Sequence, residues 1–157
     1  MSEFADINYD PLTGEFTWRV NASSRARAGA SAGGPDWRGY RLIHVNGKRH
    51  YGHRLAWFYV HGEWPNRIDH INGNPSDNCI ANLRLATGSQ NGANMKLRKA
   101  NTTGFKGVSR FKKGKWRATI KHAGRAIQIG TFASPEEAHA AYVAASRRLF
   151  GEFARAG

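Results

Sequence analysis

The sequence predicts an α+β protein in two parts: short strands and helices first, then a smaller part in which three strands precede one helix. Three observations predict it. Apolar and polar residues alternate in short runs bounded by Gly, Asn and Pro turns, the pattern of half-buried strands. Residues 52–61 and 135–150 carry apolar residues at helical spacing between recognisable start and stop signals. Charge is segregated as well: Lys and Arg number 24 against 11 Asp and Glu, a net +13, of which residues 1–91 hold only +2 and residues 92–157 hold +11. That asymmetry is expected of a polyanion-binding module joined to a nearly neutral one.

Composition excludes several classes. A single cysteine, Cys79, rules out an intramolecular disulfide framework and a Cys-rich zinc site, and it suits a reducing compartment. No apolar run approaches the length that crosses a bilayer, and the N-terminus lacks the basic-then-apolar order of a secretion signal. The expectation is a soluble, cytoplasmic chain with no membrane partner.

In order along the chain, residues 8–20 read as a turn and then a strand, because Phe16, Trp18 and Val20 alternate with polar residues. Residues 21–34 are rich in Ala, Ser, Gly and Arg without periodicity, and no element is assigned there. Asn46-Gly47 between alternating runs is a strong hairpin signal. Leu55, Phe58 and Tyr59 then mark a helix over 52–61, stopped by Gly62 and Pro65. Trp18, Tyr40, Trp57, Phe58 and Trp64 are the expected aromatic cover for this part.

The polar groups that chemistry needs are concentrated between Ile68 and Asn91. Asp69 and His70 end a short β-branched run, and a turn-rich loop follows at 72–78. Leu83-Arg84-Leu85 alternates as a strand does, and Thr87-Gly88-Ser89-Gln90 has the spacing of a capping box that opens a helix. Asn82 follows His70 by 12 residues and Asn91 follows it by 21.

This segment resembles the ββα-metal motif of HNH endonucleases, nearest to their phage and homing branch. The resemblance implies His70 as general base, Asp69 and Asn91 as metal ligands, and Asn82 as a catalytic-loop residue holding the loop and the His. Its last position is Asn91 where other branches carry His. His53 and Asn94 are accessory candidates, since a His at the position of His53 recurs in the resembling endonucleases. An oxygen shell of carboxylate and amide favours Mg2+, with Mn2+ as a substitute, over Zn2+. The domain so defined spans 1–100, its ββα unit 66–97.

After a basic linker, residues 101–157 show three alternating runs, at 105–111, 116–122 and 126–132, with Gly-containing turns between them. Ser134-Pro135-Glu136-Glu137 then opens a helix with a cap, Pro at the first position and acids in the first turn. Ala138, Ala141, Tyr142, Ala145 and Leu149 form its apolar face, and Gly151 ends it. The segment resembles an AP2 domain, a three-stranded antiparallel sheet packed on one helix that reads duplex DNA with its exposed face. The periodicity itself turns Trp116, Ala118 and Ile120 inward and Arg117, Thr119 and Lys121 outward. Carried over by position, Lys106, Ser109, Arg110, Lys113, Arg117, Thr119, Lys121 and Gln128 are the DNA contacts. Arg117 and Gln128 have the geometry for bidentate base readout.

Together these features predict a metal-dependent DNA endonuclease acting as a monomer that nicks one strand, a phage or prophage protein whose AP2-like part selects the site. The competing reading is a non-catalytic, sequence-specific DNA-binding regulator that keeps the ββα unit as scaffold.

Overall fold

A computed structural model of the chain describes residues 4–24 and 26–155. The chain divides into two compact units, Met1–Leu85 and Ala86–Gly157. The loop composition suggests a boundary at 100/101, but the division falls earlier because α2, defined below, packs with the second unit: its Ala93 is buried in that unit's core.

In the first unit β1 (Ile7–Tyr9) pairs antiparallel with β2 (Phe16–Trp18). β1 was not legible as a strand: it is three residues long, too short to show a period. β3 (Gly34–Pro35), β4 (Arg41–Val45) and β5 (Lys48–Tyr51) form a second sheet in that order. The β4–β5 turn places Asn46 at φ 53° and Gly47 at φ 71°, the two left-handed residues that an Asn-Gly hairpin supplies. The end of the unassigned 21–34 segment therefore joins a sheet edge, and its Ala32 is fully buried.

Helix α1 (Gly52–His61) runs over the expected residues and ends at Gly62, which is left-handed and donates its N–H to Phe58 O at 2.8 Å. β6 (Ile68–His70) and β7 (Leu83–Leu85) then form a hairpin in which Asp69 faces Arg84 and His70 faces Leu83. The core of this unit is built on Phe4, Ile7, Phe16, Ile43 and Leu55, each at most 2% exposed. The expected aromatic cover contributes at the margin: Trp18, Trp57 and Phe58 are partly buried against that core, and Trp64 is 41% exposed. Phe4 explains the shift, since it takes the centre of the cluster and packs edge-on against Phe58 and Trp64.

The second unit begins with α2 (Gly88–Asn94). Thr87 caps it as the spacing predicts, accepting from Gln90 N at 3.2 Å while Thr87 N donates to Gln90 Oε1 at 2.7 Å. β8 (Val108–Arg110), β9 (Trp116–His122) and β10 (Arg125–Phe132) form an antiparallel sheet with β9 central. Helix α3 (Pro135–Phe150) opens with Ser134 Oγ accepting from Glu137 N at 3.1 Å. Ala118 and Ile120 are buried with Ala138, Tyr142 and Ala145, so the inward face of β9 is the expected one. The helix face is rotated slightly from expectation: Leu149 is exposed and Phe150 takes the buried place. Gly107, at φ 73°, lies where any Cβ would fall 2.1 Å from the Tyr142 ring, so the turn before β8 closes onto α3 only with glycine.

Candidate active site

The β6–β7 hairpin does most of the positioning in the first unit. Its strands are three residues each, and β6 is buried along its whole length, so Asp69 and His70 are 4% and 6% exposed. Burial of a carboxylate requires a partner, and Arg84 supplies it from the facing position of β7 with Nε 2.9 Å from Asp69 Oδ2. In the sequence Arg84 is only the polar residue of an alternating strand. The signal for its role was register, because residues opposite each other in an antiparallel pair project on the same side.

His70 is held by residues from three directions. Its Nε2 lies 3.3 Å from Asn78 Oδ1. His53, at the start of α1, meets it edge-on at 5.2 Å between ring centroids, and Tyr40 lies 5.9 Å away on the same basis. Burial pushes the His70 imidazole below its ordinary pKa, against smaller opposing effects from Asn78, Asp69 and Asp77. His53 is pushed down further, to about 3, by burial and then by the neighbouring His70 and Arg54. Both rings are therefore neutral at neutral pH, and His70 is a proton acceptor there.

Asn82 holds the loop. Its Nδ2 donates to Asp77 O at 2.9 Å and to Asn72 Oδ1 at 3.1 Å, while its Oδ1 accepts from Asn72 N at 3.0 Å. Asn72 in turn donates to Asp77 Oδ2 at 2.7 Å, which closes the 72–82 loop on itself. Asn78, 1% exposed, hydrogen-bonds the imidazole, although in the sequence it is one of several turn asparagines.

Asn91 and Asn94 lie on α2, in the second unit, where Asn94 is buried. Among the described residues no three His, Cys, Asp or Glu side chains are grouped to hold a metal. The expected donors are of another kind, one carboxylate and one amide oxygen, and both are hard oxygen ligands of the sort Mg2+ takes.

On the sheet of the second unit, Lys121 and Gln128 are exposed, Arg117 and Thr119 are partly exposed, and Gln128 faces Thr119 across the β9–β10 pair. Ser109 sits opposite Arg117, whose guanidinium stacks 3.9 Å from the Phe111 ring centroid. Lys113 is exposed in the β8–β9 turn. Two expected contacts are placed differently. Lys106 turns inward and donates to Ala93 O at 2.5 Å, Met95 O at 2.7 Å and Arg155 O at 3.2 Å, so its half-buried ammonium closes the end of α2. Arg110 sits opposite Trp116, on the other side of the sheet from Arg117, with its guanidinium 5.5 Å from the Trp116 ring. The side taken by Arg110 follows from the β8–β9 register, and the inward turn of Lys106 from carbonyls distant in sequence, neither of which the bare sequence prints.

The profile of the HNH endonuclease family matches residues 50–93, which take in α1, the β6–β7 hairpin and most of α2. The chain is 38% identical over 107 residues to Protein 3.8 of Escherichia phage T7, an alignment that covers 66% of this chain and 87% of that relative. It is 28% identical over 155 residues to an uncharacterized HNH endonuclease of Acanthamoeba polyphaga mimivirus, covering 96% of this chain and 73% of the relative. Residues 50–93 are thus an HNH endonuclease domain.

Proposed function

We propose that this endonuclease hydrolyses single phosphodiester bonds in double-stranded DNA, with His70 taking the proton from the attacking water. The observation that carries this reading is a buried, neutral imidazole next to a buried, ion-paired carboxylate at the end of one strand. HNH nucleases are generally divalent-metal dependent, and Asp69 and Asn91 are the residues that would hold the cation here. Their oxygen donors suit Mg2+, with Mn2+ as a substitute. When bound, the cation supplies charge neutralisation at the scissile phosphate and the departing oxygen. Asn82 keeps the 72–82 loop closed behind His70, and His53 packs against the imidazole and helps to exclude water.

The second unit is the proposed site selector. Its net charge of +11 and the side of its sheet bearing Arg117, Thr119, Lys121 and Gln128 support an AP2-like reading of duplex DNA. Lys113 adds a phosphate contact. Lys106 and Arg110 leave the set for the reasons given above. One base and one cation site hydrolyse one bond, so a monomer nicks. No helix of the described residues is long and apolar enough to cross a membrane. The relatives belong to a phage and a giant virus, and the proposed place of action is the cytoplasm of an infected cell.

Supercoiled plasmid incubated with Mg2+ tests this. The wild type converts it to open circle, EDTA prevents the conversion, and His70→Ala abolishes it. Equal conversion by His70→Ala would remove His70 as the base. No conversion by the wild type with either Mg2+ or Mn2+ would leave the DNA-binding regulator as the better reading.

A further inference from the structure

We infer that Asn78 is the positioning residue that selects the tautomer of His70, placing the proton on Nε2 and the accepting lone pair on Nδ1. The inference rests on the reading of His70 as the base. It follows from hydrogen-bond polarity. Asn78 Nδ2 lies 3.3 Å from Ser76 O. A carbonyl oxygen only accepts, so the amide must present its nitrogen there, and its oxygen is then the end turned to His70 Nε2 at 3.3 Å. An amide oxygen also only accepts. The imidazole must therefore donate from Nε2, and a neutral imidazole has a single N–H.

Both contacts are long, and neither alone would hold a side chain. What fixes the amide is its enclosure. Asn78 is 1% exposed. Its own carbonyl accepts from Tyr9 Oη at 2.8 Å, and burial raises the Tyr9 pKa, so the phenol remains a donor. The β1–β2 turn closes on the Asn78–Cys79 peptide so tightly that a Cβ on Gly14 would lie 2.3 Å from Cys79 N and 2.5 Å from the Asn78 carbonyl carbon. A Cβ on Gly52, at the start of α1, would lie 3.1 Å from Asn78 Nδ2. Tyr9 and the Gly14 turn thus hold the Asn78 backbone, the start of α1 closes on its side-chain amide, and that amide orients the ring. A wrong tautomer would present an N–H where the reaction needs a lone pair.

The test reads the tautomer directly. In metal-free, DNA-free wild type at mildly alkaline pH, 15N-detected imidazole spectra, with His70 assigned by its loss in His70→Gln, are expected to show Nε2 protonated and Nδ1 unprotonated. Asn78→Asp keeps an acceptor facing the ring and is expected to keep this pattern. Asn78→Leu removes it: the two tautomers mix, and kcat for plasmid nicking with Mg2+ falls on the order of 10- to 100-fold, as for other residues that orient a ligand or base, at unchanged KM. A protonated Nδ1 in the wild type overturns the inference, and that spectrum decides even if Asn78→Leu fails to fold. An unchanged tautomer and kcat in folded Asn78→Leu overturns it as well. A wild type with the expected tautomer and no nicking in Mg2+ or Mn2+ would instead sink the nuclease reading while the assignment of the proton stands.

Discussion

Arg84 holds Asp69 from directly across the hairpin, with Nε and Nη2 each 2.9 Å from the same carboxylate oxygen, Oδ2. Two nitrogens converging on one oxygen differ from the parallel fork of a bidentate pair, and they fix the carboxylate at a single point. The side chains are 12% and 4% exposed, so the pair is shielded from solvent and salt.

Removing one partner would therefore strand a buried charge. Arg84→Ala is expected to cost about 3 to 5 kcal/mol in urea unfolding of the first unit, and to abolish plasmid nicking. Arg84→Met, similar in shape but uncharged, should lose nearly as much. An unchanged unfolding midpoint in either variant would mean that the pair contributes nothing to the fold.

The half-buried His53 gives the first unit an acid-sensitive stability. His53 titrates near 3 when folded and at its ordinary 6.5 when unfolded. Between those values the unfolded chain binds a proton that the folded chain refuses. Stability is thus complete above about pH 6.5 and falls as pH drops toward 3, by about 1.4 kcal/mol per pH unit for this one group. Thermal melts across that range should show the decline, and His53→Phe should flatten it. A wild-type melting temperature that stays constant down to pH 4 would contradict the burial of this ring.

Core truncation should discriminate centre from margin. Leu55 is fully buried, and Leu55→Ala is expected to cost about 2 to 5 kcal/mol in denaturant unfolding. Trp64→Ala should cost less despite the larger side chain, because 41% of Trp64 is already in solvent. The reverse order would show that the aromatic margin, and not the Phe16–Leu55 centre, holds the unit.

In the second unit, Arg117 and Lys106 should separate binding from folding. Arg117→Ala is expected to weaken duplex DNA binding by about 1 to 3 kcal/mol in titrations at fixed salt, with little change in melting temperature. Lys106→Met should do the opposite. It removes charged hydrogen bonds to the carbonyls of Ala93, Met95 and Arg155, each of a class that contributes about 1.5 to 3 kcal/mol, and no DNA contact. Loss of DNA binding by folded Lys106→Met would return Lys106 to the interface.

Much of this was legible in the sequence because local chemistry dictated it. The Asn46-Gly47 turn, the Thr87 capping box, the Ser134 cap and the period of β9 are each set by residues within a few positions of one another, and the structure has them as expected. What was not legible depends on pairing at a distance. Arg84 gains its role from a partner 15 residues away, Lys106 from carbonyls 11 to 49 residues away, and Asn78 from the phenol of Tyr9, 69 residues earlier. The motif's spacing singles out Asn82, whereas Asn78 is one of several asparagines in the 72–78 loop, and only geometry shows that it touches the imidazole.

The inward turn of Lys106 has a practical consequence. Burial lowers its pKa to about 8, a value that ordinarily makes an amine reactive toward acylating reagents. Here the half-buried nitrogen donates to three carbonyls, and those contacts must open before it attacks a reagent. Lysine-reactivity footprinting of the complex with DNA would therefore contain its own reference: Lys113 and Lys121 should lose reactivity as DNA is added, while Lys106 stays low throughout and rises only when the unit unfolds.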